Sequence, residues 1–192
     1  GYSLKEVSAP YGYVLSHEAV KFDVTEENST EESGVTVVAV KLGNYAQKGI
    51  IKISKTGEVF ASVAAADGVY QPVYTVQGLA GATYEIKATE DIYTPDGTLR
   101  CSAGEVVDTV TTGADGTAES KPLYLGKYEI TEMKAPDGMV VNKDAHTAEL
   151  VYAGQEIEIT ETAASFCNDR QKARISLSKV LEQNKPFGIG MN

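Results

Sequence analysis

Residues 127–138, KYEITEMKAPDG, limit the fold more than any other part of the chain. Tyr128, Ile130 and Glu132 alternate with Glu129 and Thr131, so a strand here sends those three to one face. That face opens with an aromatic and a β-branched residue, both core material, and closes with a carboxylate. The 135–138 run, Ala-Pro-Asp-Gly, stops the strand, because proline cannot donate to a ladder and Asp-Gly is turn chemistry. A carboxylate carried inward on an apolar face is costly unless a partner or a task offsets its burial.

The same stretch occurs twice. At the start of the chain Tyr2, Leu4, Glu6, Ala9-Pro10 and Gly12 match Tyr128, Ile130, Glu132, Ala135-Pro136 and Gly138. Further on, residues 44–48, NYAQK, match 168–172, NDRQK, and residues 51–55, IKISK, match 175–179, ISLSK. Glutamate to asparagine spans 38 residues in the first copy and 36 in the second, and asparagine to lysine spans 11 in both. Landmarks with matched gaps define a repeat of about 124 residues. Residues 1–47 then read as the C-terminal part of one unit, 48–172 as a complete unit, and 173–192 as the opening strand of another. The expectation is a window from a longer tandem array, in which the neighbours of each unit are repeats of the same polypeptide.

Short apolar runs between Gly, Pro and Asp turns predict an all-β chain folded as an antiparallel β-sandwich. Strands are expected at 14–24, 35–42, 49–55, 83–86, 105–112, 139–141, 148–151 and 157–160. Residues 59–66 suit a short helix or a buried strand, and 68–76, broken by Pro72, an edge strand or loop. No stretch sustains helical periodicity.

Composition narrows the function classes. The 192 residues are 42% hydrophobic, enough for a core, and carry 11 tyrosines but no tryptophan. A formal net charge of −10 removes the basic footprint that nucleic acid or an anionic membrane surface requires. No apolar run reaches the roughly 20 residues of a membrane span, and neither a signal peptide nor an LPxTG-type anchor is present. Cys101 and Cys167 have no metal-like spacing and read as two buried thiols, with a disulfide as the alternative. His17 and His146 are isolated and read as surface residues. Nothing suggests a metal, a cofactor or a phosphate loop, so a turnover enzyme is not expected.

Three polar residues extend apolar faces. Lys55 continues the Ile51/Ile53 face, Glu132 the Tyr128/Ile130 face, and Asn168 the Ala164/Phe166 face. Each could simply mark a strand reaching the rim, but the recurrence in both copies favours a shared interior. There, burial disfavours charge, so amine and acid can both be neutral. The acid then donates a hydrogen bond to the Asn168 carbonyl, the amine attacks it, and ammonia leaves behind an amide cross-link. Lys52 is a rival amine that faces the other way, and Asp169 a rival acceptor out of phase with the strand.

The motifs IIKISK at 50–55, LAGATYEI at 79–86, LGKYEITEMKAPDG at 125–138 and FCN at 166–168 resemble the CnaB-type (SpaA-like, prealbumin-like) domains of Gram-positive surface adhesins and pilins. The resemblance implies an intramolecular isopeptide bond between Lys55 and Asn168, promoted by Glu132. It also implies a location on the cell surface or cell wall and a structural stalk role. An adhesive module binding host protein or glycan through its loops is the alternative. By position, Glu6 and Asn44 are equivalent site residues lacking a lysine, and Lys179 one lacking an acceptor. Segments 1–47 and 173–192, of one chain or of two, would then associate as a split domain.

Overall fold

The computed structural model describes residues 1–180, and these form β-strands joined by turns, without a helix. Ahead of the main body lie β1 (Tyr2–Lys5), β2 (Ala19–Phe22), β3 (Thr30–Glu32) and β4 (Val35–Val37), paired as two small antiparallel ribbons, β1 with β2 and β3 with β4. The main body contains β5 (Lys48–Ala66), β6 (Val69–Gly78), β7 (Thr83–Ala88), β8 (Ile92–Tyr93), β9 (Leu99–Cys101), β10 (Val106–Thr111), β11 (Thr117–Glu119), β12 (Leu123–Tyr124), β13 (Gly126–Lys134), β14 (His146–Leu150) and β15 (Ile159–Asn168).

Two sheets face each other. One runs β10-β7-β13-β14 and is antiparallel throughout. In the other, β5 pairs along one edge with β12, β11 and β6 in turn, and along the opposite edge with β15. The β5–β15 pairing is parallel, opposing Phe166 to Lys55 and Asn168 to Gly57, so the first and last strands of the body lie side by side. The resulting sandwich departs from the antiparallel expectation at this one pair.

Alternation decides the core. Ile51 and Ile53 from one sheet meet Tyr84, Ile86, Tyr128 and Ile130 from the other, all essentially without exposure. Full burial of each such side chain contributes on the order of 1.5–3 kcal/mol. Gly49 and Gly57 extend the inward row of β5, and at both positions a Cβ would lie within 2.7 Å of a neighbouring side chain.

Several expectations need correction. The strand expected over 35–42 covers only Val35–Val37, and that over 14–24 shrinks to Ala19–Phe22. These apolar runs have no second sheet to cover them, and β-propensity depends on such packing. Residues 139–141 contribute a single bridge, Met139 to Arg170. Residues 59–66 are neither helical nor buried: with β6 they form a two-stranded arm exposed over most of its length, in which Pro72 is tolerated opposite Val63. Neither thiol is buried in the way expected. Both cysteines are free, Cys101 half-buried and Cys167 exposed, because Cys167 lies between the inward Phe166 and Asn168. His146 is half-buried with its ring 4.3 Å from that of Phe166, whereas His17 lies at the surface.

Candidate functional site: a buried lysine, glutamate and asparagine

Lys55, Glu132 and Asn168 meet in the interior. Their relative exposures are 0%, 3% and 4%. Lys55 and Asn168 come from the adjacent parallel strands β5 and β15, and Glu132 from β13 in the facing sheet. In β13 the pairing with β7 slips between Glu132 and Lys134, a bulge at Met133. Bulges recur next to functional side chains because they redirect the strand locally. Lys52 points outward to Glu161 at 2.7 Å, and Asp169 is exposed, so neither rival joins the cluster.

Glu132 is the hub. Its Oε1 lies 3.1 Å from Lys55 Nζ and accepts from the Tyr84 hydroxyl at 3.3 Å. Its Oε2 accepts from Asn168 Nδ2 and from the Asn142 backbone N–H, each at 2.7 Å. Asn168 Nδ2 also donates to the Val140 carbonyl at 2.7 Å. That carbonyl can only accept, which identifies the amide nitrogen on this side. The carboxylate therefore touches the amide on its nitrogen, whereas the sequence reading put it on the carbonyl oxygen.

Among the described residues, two buried side-chain atoms have no hydrogen-bond partner, Lys55 Nζ and Asn168 Oδ1. The amine is close enough to Glu132 for an ion pair but too poorly aligned for a hydrogen bond. An unsatisfied buried polar group costs about 1–3 kcal/mol, more if charged. Burial, and then the Glu132 carboxylate beside it, push the Tyr84 phenol far above the ordinary tyrosine range, so it stays a donor. Tyr84, Val140 and Asn142 escaped the sequence reading. The inward phase of Tyr84 with Ile86 was visible there, but the bonds it and the 140–142 backbone make depend on tertiary approach.

The acid–amide half of this arrangement occurs again near the start of the chain. Asn44 Nδ2 donates to Glu6 Oε2 at 2.7 Å and to the Val14 carbonyl at 3.1 Å, while the Ser16 N–H donates to the same Glu6 oxygen at 2.9 Å. These are the positional counterparts of Asn168, Glu132, Val140 and Asn142. Here both side chains are only half-buried, and Tyr2 and Leu4, counterparts of the fully buried Tyr128 and Ile130, are 60% and 43% exposed. Lys179 is exposed in a segment without strand structure, and no strand pairing among the described residues joins residues 173–180 to 1–47. Residues 181–192 of the expected opening segment lie outside the described residues.

No group of His, Cys, Asp and Glu able to hold a metal occurs among the described residues. No helix there is long and apolar enough to cross a membrane.

Parts of the chain are similar to known proteins. Residues 73–163 match the family model of the SpaA prealbumin-like fold domain. A trypsin-resistant surface T6 protein of Streptococcus pyogenes is 32% identical over 74 residues, covering 38% of this chain and 14% of that protein. Among solved structures, the Bacillus anthracis TIE protein is similar over 88% of this chain and 24% of its own, at 24% identity and a TM-score of 0.45. The minor pilin GBS52 of Streptococcus agalactiae is similar over 84% of this chain and 61% of its own, at 15% identity and a TM-score of 0.43. The chain therefore spans only a small part of the curated relative. Residues 73–163 are thus similar to the SpaA prealbumin-like fold domain.

Proposed function

We propose that the chain is a stalk segment of a Gram-positive cell-surface or pilus-like protein, in which residues 48–172 form one complete repeat closed by an amide between Lys55 and Asn168. The observation carrying this reading is the convergence of a fully buried amine, a buried carboxylate and a buried carboxamide at the end of a hydrophobic core.

The chemistry follows from which atoms touch. Glu132 Oε1 takes a proton from the Lys55 ammonium, leaving a nucleophilic amine. Nζ attacks Asn168 Cγ, and Glu132 returns the proton through Oε2 to Nδ2, with which it is already in contact. The Cγ–Nδ2 bond breaks and ammonia departs, carrying off the second proton that Nζ sheds as the amide becomes neutral. Folding supplies the proximity, which for well-oriented groups is worth roughly 7–11 kcal/mol of barrier. The event occurs once per molecule, and Glu132 ends as it began. Glu6 and Asn44 are the acid and acceptor of an equivalent site whose lysine lies on another segment.

Intact mass tests the reading. The purified chain is expected to weigh one ammonia less than its translated residues, with a branched peptide joining Lys55 to Asn168. Glu132→Gln is expected to restore the full mass and leave Lys55 open to amine labelling after unfolding. Full mass in the unaltered chain would sink the cross-link.

A further inference from the structure

Residue Gln47 joins the N-terminal segment to the main body. It is 1% exposed, and its side chain is spent entirely on backbone: Nε2 donates to the carbonyls of Gly154 and Ile157 at 2.8 and 2.5 Å, and Oε1 accepts from the Ala153 N–H at 2.8 Å. Around it, Gln155 receives the Ala9 N–H on its side chain and the Leu15 N–H on its carbonyl, His17 pairs with Glu156 at 3.1 Å, and Gly12 stands so close to Pro95 that a Cβ would lie 2.6 Å from the ring. A glutamine that grips only backbone asks for loop shape and tolerates sequence change in its partner.

The far end of the main body carries the same clasp, open. Gln171 occupies the position of Gln47, and its N–H bonds the Gly138 carbonyl at 2.9 Å as that of Gln47 bonds Gly12 at 2.8 Å. Val140 N–H to Asp169 repeats Val14 N–H to Tyr45 at the same 2.9 Å, and the Met139–Arg170 bridge repeats Tyr13–Ala46. Gly138 has the same left-handed backbone as Gly12, φ 77° against 85°, but its Cβ direction meets empty space where Gly12 meets Pro95. Gln171 is exposed and its amide folds back onto the Met139 carbonyl at 3.2 Å. Lys143 holds the position of His17.

We infer that the Gly138–Gln171 end is a docking surface for a following unit of this same fold, whose loop equivalent to 153–157 is clasped by Gln171 and whose residue equivalent to Glu156 pairs with Lys143. This rests on the repeat reading above, and the opening-strand pattern at 175–179 supplies the occupant. Successive units are then held in one fixed relation by a joint of side-chain-to-backbone hydrogen bonds and an ion pair.

The test continues the chain after Lys172 with a second copy of residues 49–172, so that Gln171 stands where Gln47 stands. Amide hydrogen exchange is followed at Ala153 in both copies. Equal protection in the two is expected. Gln171→Glu, which turns a carboxylate toward two carbonyls, is expected to speed exchange at the second Ala153 by tenfold or more and leave the first unchanged. Gln47→Glu is expected to do the reverse. A second Ala153 that exchanges freely whatever stands at 171, while the first remains protected, overturns the joint. Intact mass of the same protein reads the cross-link separately, so failure of one proposal is distinguishable from failure of the other.

Discussion

Glu132 holds together groups that would not otherwise share a core. Its two oxygens touch the amine, a phenol, a backbone N–H and the Asn168 amide nitrogen, a set of contacts that a glutamine could not reproduce because only one of its two terminal atoms accepts. The same burial sets the alkaline behaviour of the fold. Burial is the first cause of the elevated Tyr84 and Tyr128 phenols, followed for Tyr84 by the charge on Glu132. A folded-state phenol raised above its unfolded value adds stability that is complete below the ordinary tyrosine value of 10.0 and is lost as pH climbs beyond it. Denaturant unfolding from neutral to strongly alkaline pH is therefore expected to show a flat region and then a decline starting near that value. Tyr84→Phe is expected to shrink the decline, and an unchanged profile in that variant would count against it.

At the level of the element, β5 is the organising strand because each segment of it has a different neighbour. Its first half is covered on both edges and one face; its second half, with β6, projects as an arm carrying exposed Phe60, Val63, Tyr70 and Val76. Where the arm returns to the body, Gly78 lies against the turn at Asp115 and Gly116 so closely that a Cβ would stand 2.0 Å from the Asp115 carbonyl oxygen. Backbone cannot rotate away as a side chain can. Gly78→Ala is expected to destabilise by about 3 kcal/mol or more, since it overpacks a site with no flexible neighbour. Chemical denaturation of Gly78→Ala beside Gly81→Ala, a site with open space but a left-handed backbone that Gly78 lacks, separates the packing effect from the backbone one.

For the whole molecule, the neighbouring positions of β5 and β15 matter most. In the tandem array proposed above, force would enter the body near Lys48 and leave near Asn168, and the two strands run side by side and parallel. Pulled from opposite ends, parallel neighbours are loaded in shear, and an amide between Lys55 and Asn168 would carry the load past everything between them. Single-molecule extension is expected to release none of residues 56–167 from the unaltered chain. In Lys55→Ala the same residues are expected to extend in one step. Release of that length from the unaltered chain would contradict a covalent tie, whatever the thermal stability.

Alternation alone determined which side chains of 51–55, 128–132 and 164–168 face inward, because a strand has a period of two and an apolar core selects one phase. Matched gaps between two copies were enough to single out Lys55, Glu132 and Asn168, and their counterparts Glu6 and Asn44, before any geometry. Tertiary structure decided the rest. The parallel pairing of β5 with β15, the bulge beside Glu132, the carboxylate's contact with the amide nitrogen and the backbone grip of Gln47 all depend on which strands become neighbours. Short-range pattern does not encode that choice, since the partners lie as far apart as Gln47 and Gly154 and meet only when both sheets close over one core.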